Sequence, residues 1–212
     1  MIGLGLFVSM EGPDGSGKTL QMDLLEKKLR EEGYEVVRSR EPGGTEVGEA
    51  VRQILLTPSY SGMDAVTEAL LFAAQRRQHV MEKIRPALAE GKIVLLDRYV
   101  DSSLVYQGIG RGLGMDFVQM INEPAIDGLY PDVTFLVYVD YEEGLRRKRG
   151  QSGHTLDRLE EEKEDFHRMI NKGYYSLAER DPKRVILIDG ARSPEEVAGE
   201  IWQKMQGYLQ TI

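Results

Sequence analysis

Short apolar runs alternate with longer stretches of helical spacing along the chain. Leu4–Met10 is apolar enough to read as a buried strand, and Leu20–Leu29 follows with a helical pattern. Gly33 punctuates, and Glu35–Arg40 reads as a second strand. Glu46–Leu56 places Val47, Val51, Ile54 and Leu55 at helical intervals. Asp64–Glu90 is a long helical segment that Pro86 is expected to kink or divide. Lys92–Asp97 is a strand ending in a carboxylate, and Val133–Val139 and Val185–Ile188 complete a set of five. Ser193-Pro194-Glu195-Glu196 opens a final helix with a capping box. Apolar strands separated by helices predict a three-layer α/β fold, a five-stranded parallel sheet covered on both faces. Ligands of such sheets bind beyond the carboxyl ends of the strands. Residues 12–19, 40–45, 97–107 and 140–158 are therefore expected to meet on one face.

Composition narrows the function classes. The 212 residues suit one domain and carry a formal charge of −8, which argues against wholesale nucleic-acid binding through a basic surface. There is no cysteine, so disulfides and thiolate metal sites are excluded. The apolar runs are strand-sized, and the first residues lack a basic stretch followed by a long apolar core. The expectation is a cytoplasmic protein that engages no membrane. No repeat or linker interrupts it.

The chemistry is concentrated in Gly12-Pro13-Asp14-Gly15-Ser16-Gly17-Lys18-Thr19, a complete G-x-x-x-x-G-K-[ST] phosphate loop between a strand and a helix. The glycines let the backbone aim N–H groups at phosphate oxygens, Lys18 supplies a mobile charge for the β- and γ-phosphates, and the Thr19 hydroxyl suits Mg²⁺. The loop implies a nucleoside triphosphate without saying what it is used for. A base-reading N-K-x-D is missing, since Asn171-Lys172-Gly173-Tyr174 lacks the Asp and lies in a helical pattern. The chain is also short for a motor ATPase, which leaves the small P-loop kinases. Asp97 at a strand end suits Mg²⁺ or its waters, and Arg98 suits a phosphate, although a turn carboxylate and a surface ion pair would look the same.

Glu11–Thr19, Arg40-Glu41-Pro42-Gly43-Gly44-Thr45, and Asp97-Arg98-Tyr99 with Ser102-Ser103 and Tyr106-Gln107-Gly108 together resemble the thymidylate kinase family, in order and in interval. The resemblance runs through Asp157-Arg158-Leu159-Glu160 to the last strand. It implies phosphoryl transfer from ATP·Mg to dTMP, giving dTDP for dTTP synthesis. Phe72 would stack on thymine, Arg76 would hydrogen-bond it, and Ser103 and Gln107 would lie at the base edge. Tyr106 would close the sugar 2′ side, Arg98 would hold the acceptor phosphate, and Asp14 would lie near the 3′-hydroxyl and the metal. Glu41-Pro42 would be a cis peptide shaping the acceptor pocket, and Asp14, Thr19, Asp97 and Glu160 are the candidate metal ligands. A homodimer packed through helices is also implied. Without the resemblance Phe72 reads as core, and Tyr106 as core or site.

Arg146-Arg147-Lys148-Arg149 is the one strong basic cluster, and Gly150–Gly153 after it has hinge-like composition. It reads as a solvated helix end or as the base of a lid over residues 146–158. Some thymidylate kinases carry an arginine in the phosphate loop where this chain has Gly15. A transition-state arginine is therefore expected from the lid, as Arg149, Arg147 or Arg158. His79, His154 and His167 fit no catalytic role and read as surface or helix residues. A deoxynucleoside kinase and a non-enzymatic, nucleotide-gated protein remain the alternatives.

Overall fold

The computed structural model describes residues 5–149 and 157–210. Five parallel strands, β1 (Phe7–Glu11), β2 (Val36–Arg40), β3 (Ile93–Asp97), β4 (Val133–Tyr138) and β5 (Val185–Asp189), lie in the order β2-β3-β1-β4-β5. Between them run α1 (Lys18–Glu31), α2 (Glu46–Leu56), α3 (Ala65–His79), α4 (Arg85–Ala89), α5 (Val100–Ser103), α6 (Met115–Ile126), α7 (Tyr141–Arg149), α8 (Glu164–Arg180) and α9 (Pro194–Leu209). The predicted strands are all present. The first is displaced, starting at Phe7, and Leu4 lies outside the described residues.

Alternation along the strands splits the core. Val8, Met10, Ile93, Leu95, Phe135 and Val137 face α1 and α9, whereas Phe7, Val94 and Leu96 pack with Val80, Ile84 and Tyr99 on the opposite side. A third cluster seats α8 beneath Leu104, Val105 and Tyr106. Burying one such side chain contributes roughly 1.5–3 kcal/mol, so the strand ends that carry the polar loops are firmly held. The switch between β1 and its neighbours β3 and β4 puts the phosphate loop at the crevice where ligands of open parallel sheets bind.

The long helical segment is divided, but ahead of Pro86: a π-helical stretch, Val80–Ile84, joins α3 to α4, and Pro86 sits in the first turn of α4. A second π-helical stretch, Leu104–Gly110, carries Tyr106 and Gln107. Ser193 and Glu196 form the expected capping box of α9. Among the described residues, no helix is long and apolar enough to cross a membrane.

Candidate active site

The loop between β1 and α1 is folded by its glycines. Gly12, Gly15 and Gly17 have φ of 145°, 76° and 91°. A Cβ at Gly12 would lie 2.1 Å from the Val137 carbonyl oxygen, and one at Gly15 would lie 2.2 Å from that of Gly144. The loop is thus wedged between β4 and α7, with Gly17 capping α1 so that the helix N-terminus faces the cleft. Lys18 curls back over it, with Nζ 3.5 Å from the Pro13 carbonyl oxygen and 3.5 Å from Asp14. Burial and the neighbouring Arg98 push the Lys18 ammonium below its ordinary value.

Arg98 leaves β3 in a left-handed conformation, φ 65°, its N–H bonded to the Met10 carbonyl at 3.0 Å. Its guanidinium donates to Asp14 at 2.7 Å and to the Ser102 hydroxyl at 3.2 Å, and lies over the Tyr106 ring at 5.3 Å. Burial opposes ionisation of Asp14, but Lys18, Arg98 and Lys148 outweigh it and hold the carboxyl well below the usual range.

Behind Arg98 lies a residue that the sequence reading passed over. Glu11, fully buried at the end of β1, accepts from the Tyr99 N–H at 2.7 Å, the Ser102 hydroxyl at 2.6 Å and the Tyr174 hydroxyl at 3.2 Å. Burial and the charge of Asp101 push its carboxyl up to about 7.

The acceptor side is built by α3 and the second π-helical stretch. Glu68, Phe72 and Arg76 recur every four residues and so share one face of α3. Arg76 is buried, donating to Glu41 at 2.7 Å, to Ser103 at 3.1 Å, to the Tyr99 carbonyl at 3.2 Å and to Asn122. The Glu41–Pro42 peptide is cis. Phe72 and Tyr106 form apolar walls, and burial pushes the Tyr106 phenol far up.

A cleft of about 230 Å³ joins these parts. Asp14, Lys18 and Thr19 from the loop, Glu41 and Pro42, Phe72 and Arg76, Asp97 and Arg98, Ser103, Tyr106, Gln107 and Glu160 all line it. Lys148 and Arg149 line an adjoining cavity of about 380 Å³ that shares Asp14, Tyr106 and Glu160 with the cleft. Arg147 lies against the phosphate loop, 3.5 Å from the Ser16 carbonyl oxygen, and also bonds Glu143.

The structure gives several of the expected residues partners of their own. Arg158, one of the three expected lid arginines, is drawn into the fold. It is 3% exposed, donates to the Leu55 carbonyl at 2.7 Å and lies 2.7 Å from Glu68, so its charge is committed to an anchor. Of the expected metal carboxylates, Asp14 is paired with Arg98 and Lys18, and Glu160 with Lys148 at 2.7 Å. Asp97 differs, with its Oδ1 buried and, among the described residues, without a hydrogen-bond partner. His79 lies on a helix, one of the two places expected for it, where it is fully buried and bridges Ser39 at 2.8 Å and Glu41 at 3.1 Å. Of the lid, residues 150–156 including His154 lie outside the described residues, and 146–149 end α7.

Glu11 and Glu68 were missed, and only Glu68 left a usable trace. It stands four residues before Phe72 and eight before Arg76, so the helical period already puts it on their face. Asn171 has a structural place, bonding the Val139 carbonyl at 2.8 Å and the Tyr138 hydroxyl at 2.6 Å.

The family model described as thymidylate kinase matches residues 10–201. The chain is 49% identical to the thymidylate kinase of Halothermothrix orenii over 97% of this chain and 98% of that one. It is likewise 49% identical to that of a Geobacillus species over 91% and 92%. The crystal structure of thymidylate kinase from Ehrlichia chaffeensis superposes with a TM-score of 0.75, at 35% identity and over 95% of this chain and 98% of that chain. The chain belongs to the thymidylate kinase family.

Proposed function

We propose that the protein transfers the γ-phosphoryl group of ATP to dTMP, giving dTDP and ADP. One observation carries this reading: the phosphate loop with Lys18 opens into the same cleft as an arginine, Arg98, and an apolar slot walled by Phe72 and Tyr106. A donor triphosphate held at Gly12–Thr19 and an acceptor phosphate held at Arg98 would meet in line across that cleft. The acceptor oxygen is already anionic at neutral pH, so no general base is required, and catalysis rests on positioning and charge neutralisation. Phe72 gives stacking affinity, Arg76 offers a donor suited to thymine O4, and Tyr106 fills the space a ribose 2′-hydroxyl would need.

Thr19 and Asp97 would hold Mg²⁺, since both residues line the cleft and the Asp97 Oδ1 has no hydrogen-bond partner among the described residues. The ion, when bound, neutralises charge on the β- and γ-phosphates. Arg147 or Arg149, rather than Arg158, would supply the arginine charge missing at Gly15. A homodimer fits the exposed Leu70 on α3 and the exposed Phe117 and Met120 on α6. A monomer mass by light scattering would remove the dimer. A cytoplasmic location is consistent with the lack, among the described residues, of any membrane-spanning helix.

Steady-state turnover with dTMP and with thymidine tests the reaction. Phosphorylation of dTMP alone is expected. Faster use of thymidine would make the protein a nucleoside kinase, and no turnover with either would leave a nucleotide-binding role.

A further inference from the structure

Glu68 lies below the base pocket, fully buried, and the mechanism does not use it directly. Its Oε1 accepts from the Gln107 amide nitrogen at 2.8 Å and from Arg111 Nε at 3.2 Å. Its Oε2 accepts from Arg111 at 3.0 Å and lies 2.7 Å from Arg158. Burial opposes its ionisation, but the bonds from Arg111 and Gln107 and the charge of Arg158 outweigh burial and hold the carboxyl below its ordinary value. An ionised carboxylate only accepts hydrogen bonds. Gln107 must therefore turn its NH₂ towards Glu68, and the other end of the amide is left over. That end, Oε1, is buried without a hydrogen-bond partner among the described residues, and Gln107 lines the cleft.

Arg76 complements it. Of the five N–H groups of a guanidinium, four are used, by Glu41, Ser103, Asn122 and the Tyr99 carbonyl. The fifth, on a side chain that also lines the cleft, has no partner among the described residues. The pocket thus offers one donor and one fixed acceptor. Thymine presents an O4 acceptor beside an N3–H donor and matches both. Cytosine presents an N4 amino donor beside an N3 acceptor and opposes both.

We propose that Glu68 is a specificity-determining positioning residue, which by fixing the orientation of the Gln107 amide sets the pocket for the thymine imide edge and against cytosine. The proposal rests on the reading of Phe72, Arg76 and Gln107 as the base pocket. Its rival is a purely structural Glu68 that neutralises Arg111 and Arg158. The two differ in what a substitution does to substrate choice. In Glu68→Gln the new amide can donate or accept, so Gln107 is free to turn over and present NH₂ to cytosine N3.

The test is kcat/KM for dTMP, dUMP and dCMP in the unmodified protein, Glu68→Gln, Gln107→Ala and the double variant. Glu68→Gln should narrow the dTMP:dCMP ratio by about tenfold or more, a size reasonable for one buried hydrogen bond reversed. The dTMP:dUMP ratio should hold, because uracil presents the same edge. Gln107→Ala should narrow the dTMP:dCMP ratio too, and adding Glu68→Gln to it should change the ratio no further. If Glu68→Gln slows all three acceptors by one factor while Gln107→Ala narrows the ratio, the base pocket stands and the proposal is overturned. If Gln107→Ala leaves the ratio intact, the pocket reading fails and takes the proposal with it. Should Glu68→Gln not fold, Glu68→Asp keeps the charge that Arg111 and Arg158 need but retracts it from Gln107. It is expected to narrow the same ratio, and an unchanged ratio in a folded Glu68→Asp is equally fatal.

Discussion

Lys18, Arg98 and Arg147 surround the phosphate loop with positive charge, yet their contacts differ. Lys18 bends back to the Pro13 carbonyl, Arg98 is tied to Asp14 and lies over Tyr106, and Arg147 reaches the loop backbone from α7. Lys18 and Arg147 are therefore expected to act on the transferring phosphoryl, and Arg98 on the acceptor. Lys18→Ala should lower kcat by about a hundredfold or more while the fold persists, the size seen when one preorganised electrostatic contact is removed. Arg147→Ala should lower kcat with little change in dTMP Kd, and Arg147→Lys should recover only part of it because an ammonium lacks the planar fork. Arg98→Ala should show the reverse balance. Single-turnover rates and dTMP Kd, measured separately for each variant, decide this. An Arg147→Ala enzyme of normal kcat would pass the role to Arg149, which lines the adjoining cavity.

At the scale of elements, the loop and α7 are packed backbone to backbone, and this contact has no room for a side chain. Gly15→Ala places a Cβ 2.2 Å from the Gly144 carbonyl oxygen at φ 76°. Gly33→Ala pays the same kind of backbone strain, φ 90°, but meets nothing within 4 Å. The left-handed conformation alone costs about 1–2 kcal/mol for a non-glycine residue. Gly33→Ala should therefore lose about that much stability and keep full ATP affinity. Gly15→Ala should lose more stability and also weaken ATP binding, because α7 has to move off the loop. Urea unfolding midpoints and nucleotide Kd for the two variants, compared side by side, would show equal losses if the close packing did not matter.

For the molecule as a whole, Glu11, fully buried, ties the end of β1 to Tyr99, to Ser102 on α5 and to Tyr174 on α8. Its carboxyl rises from an ordinary 4.5 to about 7 in the folded protein. Between those values the folded state keeps a proton that the unfolded chain has released. Stability therefore falls as pH rises from about 4.5 to 7 and is level above that, a change on the order of 3 kcal/mol. Glu11→Gln should remove this slope, so the stability difference between variant and parent should vary across pH 5–7 and flatten near pH 8. A difference independent of pH would mean that Glu11 is ionised throughout.

The phosphate loop, the five strands and the order of the loops at their ends could be read from the chain, because apolar periodicity and glycine spacing are local properties of the sequence. Arg98 could be read as a phosphate ligand from its place at a strand end and Tyr106 as core or site, but the parts given to Phe72, Arg76 and Gln107 were legible only through resemblance, and the common cleft became visible only when the strands were placed side by side. Tertiary structure alone decided which charges are free. Arg158 and Arg147 look alike in the sequence, yet the first is spent on Glu68 and the second reaches the loop. Asp14, Asp97 and Glu160 look alike as carboxylates, yet only Asp97 keeps a buried oxygen without a hydrogen-bond partner. His79, Glu11 and Glu68 are polar residues that a sequence assigns to solvent, and the fold buries all three in hydrogen-bond networks. The physical reason is common to them. A side chain's ionisation and hydrogen-bonding partners come from residues distant in sequence, as Glu68 and Arg158 are, and no local pattern encodes those distances.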